Sequence, residues 1–191
     1  HVLSVGAGTG AEVLSLARIY PGWTFTALDT SAPMLDRCRQ RVADQGISHR
    51  VHFHVGDIHS LPGDAGPFDA ATSILVSQFV VDPIARQRFF RSIADRLRPR
   101  GPLVFAELAV EPHDDALREL WRRAQSLDRP HPTHAAPAPP SASDKPSESA
   151  AKLVSIDPPG DIERLVTAAG FEVPTRVFQT LMIHGWVAQR S

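Results

Sequence analysis

The sequence predicts an α/β fold: an open, doubly wound sheet, mostly parallel, that ends in an antiparallel C-terminal hairpin. Three observations carry this. Buried-strand patterns alternate with helical ones from Val2 to Leu127, as in βα units built on a parallel sheet. A glycine-rich loop, Gly6-Ala7-Gly8-Thr9-Gly10, stands between the first strand and the first helix. The last two strand patterns, Phe171–Thr180 and Leu181–Gln189, adjoin directly, whereas a parallel crossover needs a dozen or more residues between its strands.

The elements follow in order. Val2–Val5 is a short strand, and Ala11–Tyr20 sets Val13, Leu14, Leu16 and Ala17 at helical spacing. Trp23–Leu28 is a second strand ending at Asp29. Thr30 or Ser31 caps a helix from about Pro33 to Asp44, with Met34, Leu35, Cys38 and Val42 facing inward. Val51–Val55 and Phe68–Val76 are the third and fourth strands. Pro83 opens a helix reaching Leu97, at a position where its missing N–H is no loss. Arg98-Pro99-Arg100-Gly101 turns the chain into a fifth strand, Leu103–Leu108. Glu111–Leu127 reads as helical, opened by Pro112 and the acids Asp114 and Asp115. Asp128–Ala150 is dominated by Pro, Ala and Ser, too poor in apolar surface to offset ordering entropy, and predicts a flexible insertion. Pro158–Ala169 is a short helix stopped by Gly170 at a C-cap position.

Composition narrows the function classes. A hydrophobic fraction of 42% and a mean hydropathy of -0.14 suit one soluble globular domain over residues 1–191. A formal net charge of -1 leaves no basic footprint, which weighs against a nucleic-acid surface built on charge. No apolar run approaches the ~18 residues of a membrane span. Cys38, the single cysteine, has no internal partner, and this fits a reducing, cytoplasmic setting. The chain enters its first strand from His1, without an initiator Met or a signal peptide, so a truncated N-terminus is expected.

Ligands of open α/β sheets bind beyond the carboxyl ends of the strands, at the topological switch point. The glycine loop lies there, where glycine permits tight turns and close backbone approach and the helix N-terminus favours an anion. Alone the loop is a weak signal, since with Ala11 it also fits a dinucleotide fingerprint. Asp29 follows about 20 residues later, where an acid takes ribose hydroxyls; capping the next helix is its plainer role. Asp57, after the third strand, offers a carboxylate beside the N–H of Ile58, a pair able to read an adenine edge.

Taken together, Val2–Gly10, Ala27–Leu35, His54–Pro62, Phe68-Asp69 and Leu97–Val104 resemble the successive motifs of class I S-adenosylmethionine-dependent methyltransferases. The resemblance implies a Rossmann-like methyltransferase fold with S-adenosyl-L-methionine as cofactor and a small-molecule acceptor. It implies that Gly6, Ala7, Gly8 and Gly10 line the methionine moiety. Asp29 would take the ribose hydroxyls, with Thr30 and Met34 beside ribose and adenine. Asp57 and Ile58 would hold the adenine edge, and Leu75 would lie under the cofactor. Ser4 departs from the pattern, standing where the family often carries an acid.

A narrower likeness is to carboxy-S-adenosylmethionine synthase, which serves tRNA wobble-uridine modification. It rests on Asp29-Thr30-Ser31-Ala32-Pro33-Met34-Leu35-Asp36-Arg37-Cys38-Arg39, Ser77-Gln78-Phe79-Val80 and Arg176-Val177-Phe178-Gln179. That family binds the extra carboxylate with an arginine before its last helix, where this chain has only Lys145 and Lys152 between Pro130 and Ser155. Methyl transfer is therefore the leading expectation and carboxyl transfer the second; a cofactor-binding module without catalysis is the third.

The fold itself demands no general base, because methyl transfer requires one only for a protonated acceptor. Gln78 and Glu107, after the fourth strand and at the end of the fifth, are the candidate catalytic residues. Glu107 interrupts an apolar run and suits a base of raised pKa or an ion-paired or solvated strand end. His113 has the same location, but beside Asp114 and Asp115 it reads more simply as part of a helix start. His131 and His134 lack supporting ligands, His52 and His54 mark the polar face of an edge strand, and no metal is expected. His184 faces either pocket or solvent. The arginines from Arg86 to Arg100 read as a solvated helix face. Oligomeric state and acceptor identity are not encoded in any of these patterns.

Overall fold

Four consecutive small or apolar residues make β1 (Val2–Val5), and all four are buried, as a strand covered on both faces must be. The computed structural model describes residues 1–127 and 154–191; the expected insertion at 128–150 lies outside the described residues. β1 sits inside a sheet with β2 (Phe25–Asp29), β3 (Val51–Val55), β4 (Ala70–Ile74), β5 (Pro102–Leu108), β6 (Thr175–Thr180) and β7 (Ile183–Gln189). The order is β3-β2-β1-β4-β5-β7-β6. The first five strands are parallel, and β7 is antiparallel to both β5 and β6, as the adjoining hairpin requires.

Alternation along β1 and β2 sorts the core into two layers. Val2, Phe25 and Ala27 join α1 (Ala11–Ile19) and α2 (Ala32–Asp44) through Val13, Leu14, Leu35, Cys38 and Val42. Leu3, Val5 and Leu28 point the other way, into a cluster with α3 (Pro83–Arg96) and α5 (Pro159–Ala168) that holds Phe89, Phe90, Phe105, Ile162 and Trp186. Helices on both faces make the sheet doubly wound. A smaller cluster of Leu108, Val110 and Met182 takes Leu117 of α4 (Asp115–Leu127).

Several boundaries differ from the sequence reading, each for a local reason. β4 is confined to 70–74, because Leu75 adopts a left-handed φ of 59° and Phe68 makes only an isolated bridge to Leu97. β6 begins at Thr175 rather than Phe171; Pro174 has no N–H to donate to a ladder. α4 begins at Asp115, since residues 111–114 form a turn and Asp114 accepts from the N–H of Leu117 at 3.0 Å. Ser31 occupies the N-cap of α2 without a side-chain cap bond; its N–H instead donates to Asp29 Oδ1. On α3, Asp82 is the cap, accepting from Ala85 N–H at 2.7 Å. The arginines of α3 are not uniformly a solvated face, because Arg86 is only 2% exposed.

Candidate active site

Parallel strands deliver their carboxyl ends to one edge of the sheet. The ends of β1, β2, β3 and β4 surround a cavity of about 610 Å³, within the range of small-molecule sites. It straddles the switch point, since β2 lies on one side of β1 and β4 on the other.

The glycine loop turns tightly enough to form one wall. Gly6 has a φ of +68°, and a Cβ there would lie 2.4 Å from Val76 Cγ2, so both backbone sign and space exclude a side chain. Gly6, Ala7 and Gly8 line the cavity, but Gly10 does not. A Cβ on Gly10 would lie 2.3 Å from Cys38 Sγ; this glycine lets α1 close on α2. It thus has a packing role behind the wall that Gly6, Ala7 and Gly8 form.

Asp29 braces two loops at once. Its Oδ2 accepts from the N–H of Gly8 at 2.8 Å and its Oδ1 from the N–H of Ser31 at 2.8 Å. Each carboxylate oxygen retains further acceptor capacity, and the residue lines the cavity beside Thr30 and Met34. Asp57 is arranged differently. Its Oδ1 accepts from the N–H groups of His59 and Ser60 at 3.0 and 2.9 Å. Among the described residues, its Oδ2 has no donor and the N–H of Ile58 no acceptor. An acceptor and a donor thus stand side by side at the end of β3.

Leu75 closes the opposite wall, its left-handed backbone carrying the chain out of β4 while its N–H still donates to Ala106 O at 2.7 Å. A left-handed conformation costs a non-glycine residue about 1–2 kcal/mol, so the strain falls on a cavity residue. Val76, Phe79 and Val80 continue this wall, and Phe79 is 63% exposed.

Gln78 and Glu107 are close together but do not line the cavity. Glu107 is fully buried. Its Oε1 accepts from Ser77 N–H at 3.1 Å and its Oε2 from Gln78 N–H at 3.0 Å. Gln78 Oε1 in turn accepts from Leu108 N–H at 3.1 Å. Burial pushes the Glu107 carboxyl up to about 7, against the opposing pull of Arg86 and the Ser77 and Gln78 hydrogen bonds. The two side chains form a bracket between the end of β5 and the turn after β4. His113 is exposed. His184 is buried, stacked on Trp186 with ring centroids 5.7 Å apart, and neither ring nitrogen has a hydrogen-bond partner among the described residues. Desolvation, helped by Arg176, lowers its pKa. Among the described residues no group of three or more His, Cys, Asp or Glu side chains is arranged to hold a metal ion, and no helix is long and apolar enough to cross a membrane.

A family model described as a methyltransferase domain matches residues 2–101. The chain belongs to the class I methyltransferase family. It is 34% identical over 123 residues to a malonyl-[acyl-carrier protein] O-methyltransferase of Magnetococcus marinus, covering 64% of this chain and 41% of that protein. Over 173 residues it is 28% identical to O-methyltransferase cnsE of Penicillium expansum, covering 91% and 52%. A carboxy-S-adenosyl-L-methionine synthase of Chromohalobacter salexigens is 30% identical over 131 residues, covering 68% and 47%. The apo structure of the S-adenosylmethionine-dependent methyltransferase SibL shares the fold, with a TM-score of 0.71, 19% identity, and coverage of 99% of this chain and 50% of that one. The chain spans about half or less of the length of these relatives.

Within this methyltransferase domain one cavity residue escapes a reading by motif. Glu12, in the first turn of α1, lines the cavity. Its Oε1 accepts from Ser4 Oγ at 2.5 Å, so the strand position that lacks an acid is met by one from the helix. The only sequence signal was the vacancy at Ser4, because nothing in a helical period says that a side chain folds back toward the preceding strand.

Proposed function

We propose that this methyltransferase domain binds S-adenosyl-L-methionine in the cavity and transfers its methyl group to a small-molecule acceptor. The observation that carries the reading is the unengaged pair at the end of β3, where Asp57 Oδ2 can accept and Ile58 N–H can donate, as an adenine edge requires. The donor set around it fits the rest of that cofactor. Asp29, with Thr30 beside it, offers acceptors for ribose hydroxyls. Gly6, Ala7 and Gly8 leave room for a methionyl chain against backbone, and Met34 and Leu75 supply apolar contact.

When bound, the cofactor supplies an electrophilic methyl group on a sulfonium. The chain's own work is orientation and exclusion of water. Gln78 and Glu107 serve as positioning residues, since they hold the turn that carries Val76, Phe79 and Val80 rather than facing the cavity themselves. The names of two relatives make an oxygen nucleophile the first acceptor class to try.

Isothermal titration of S-adenosylmethionine into the chain tests the cofactor assignment, with Asp29→Ala as the matched variant. Micromolar binding, about -7 to -8 kcal/mol, lost in the variant, is expected. A folded chain that binds nothing overturns it. Turnover to S-adenosylhomocysteine with hydroxyl and carboxyl acceptors then separates an enzyme from a binding module.

A further inference from the structure

Glu12 is out of balance in the protein alone. Its carboxylate is partly withdrawn from water beside a second acid, and burial raises its pKa, with the Asp29 charge adding to the effect. One oxygen is held by the hydroxyl of Ser4, itself 1% exposed. Among the described residues no cation pairs with it: Arg41, on the neighbouring α2, donates instead to the carbonyl and hydroxyl of Thr9. A desolvated carboxylate without a cation is unfavourable, and this one lines a ligand cavity.

The sheet order says which part of a ligand meets it. Along β3-β2-β1-β4, the cavity presents Asp57 and Ile58 at the first strand end, Asp29 at the second, Glu12 beside the third with the buried Ser4 behind it, and apolar Leu75 at the fourth. Neighbouring parallel strands lie about 4.8 Å apart, so this is a ruler laid along an extended ligand. On the reading proposed above, adenine and ribose occupy the first two divisions. The methionyl end then falls at the third. Of the two cationic groups on such a ligand, a sulfonium has no N–H to donate, whereas an ammonium can use a carboxylate oxygen that Ser4 has already oriented.

We propose that Glu12, positioned by Ser4, is the residue that receives the α-amino group of the cofactor and so selects an intact amino-acid end. The inference rests on the cofactor reading given under the proposed function. A role confined to complementing the N-terminus of α1 would affect stability without affecting ligand choice.

The test compares two probes by titration calorimetry on the whole chain: S-adenosylhomocysteine, and its deaminated analogue, which keeps the thioether and carboxylate. Glu12→Gln is expected to weaken S-adenosylhomocysteine by about 10- to 100-fold, the range of a hydrogen bond to a charged group, and the analogue by no more than about twofold. Ser4→Ala, which keeps the acid but frees it, is expected to show a smaller loss with the same preference. Equal losses for both probes in both variants, with the wild type binding normally, overturn the Glu12 assignment alone. Wild-type chain that is folded and binds neither probe overturns the cofactor reading and this inference with it.

Discussion

Arg86 Nη2 and Glu107 Oε2 face one another 3.7 Å apart inside the core, with their side chains 3% and 0% exposed. Arg86 also donates through Nε to Ser77 Oγ at 2.8 Å and through Nη1 to Asp157 Oδ2 at 2.5 Å. The pair thus ties α3, the end of β5 and the segment before α5 to one point.

The first prediction concerns pH. The Glu107 carboxyl stands at about 7 in the folded chain, above its ordinary 4.5, so between these values the folded state holds a proton that the unfolded state has released. Its contribution to stability is fully present below about pH 4.5 and is lost as pH rises through about 7. Denaturant titrations at pH 5 and pH 8 should show wild type losing roughly 2–3 kcal/mol relative to Glu107→Gln across that interval. A difference that stays flat, or grows with pH, contradicts the raised value.

A second prediction separates holding the turn from touching the acceptor. Gln78→Leu keeps the volume but leaves the buried N–H of Leu108 without its acceptor, which costs about 1–3 kcal/mol. Thermal unfolding should report that loss, while affinity for S-adenosylhomocysteine changes by less than about threefold. Unchanged stability with abolished turnover would instead place Gln78 at the reacting atoms.

Gly6 and Val76 provide a third. Gly6→Ala forces a Cβ to within 2.4 Å of Val76 Cγ2 on a backbone at φ +68°. A loss of about 2–4 kcal/mol is expected, of the kind that combines overpacking with a left-handed alanine. Adding Val76→Ala should restore the packing part and leave about 1–2 kcal/mol of backbone strain. Strictly additive losses in the double mutant would show that the two residues do not meet.

A fourth addresses the strained residue of the cavity. Leu75→Gly removes a left-handed non-glycine, a relief of about 1 kcal/mol that offsets the lost apolar contact. Net stability should therefore move by less than about 1 kcal/mol, while S-adenosylhomocysteine affinity falls measurably in calorimetry. Unaltered affinity would remove Leu75 from the binding surface.

The sheet and most of the cavity were legible in the chain because they depend on short-range pattern. Gly6 and Gly8 mark a turn, Asp29 and Asp57 stand at strand ends, and the absence of a spacer before Ile183 fixes an antiparallel hairpin. What was hidden depends on distant partners or on side-chain direction. Arg86 looks like surface charge until Asp157, 71 residues later, is seen to meet it. Leucine has no preference for the left-handed region, so nothing at Leu75 announced the end of β4. Glu107 was visible as an acid in an apolar run, but its two backbone donors, Ser77 and Gln78, lie 30 and 29 residues earlier.

The bracket beneath the β4–α3 turn divides labour between residues that hold and residues that are presented. Glu107 fastens the turn from β5 and Gln78 reaches back to β5 from within it, and Ser155 N–H reaches Gln78 O at 2.8 Å from beyond α4. Phe79, exposed, and Val80, half-buried, line the cavity from it and belong to none of the core clusters. Selection can therefore trade one for another at these two positions without disturbing the scaffold that fixes where they stand. On this plan, what the wall offers a neighbouring molecule is separable from what keeps the wall in place.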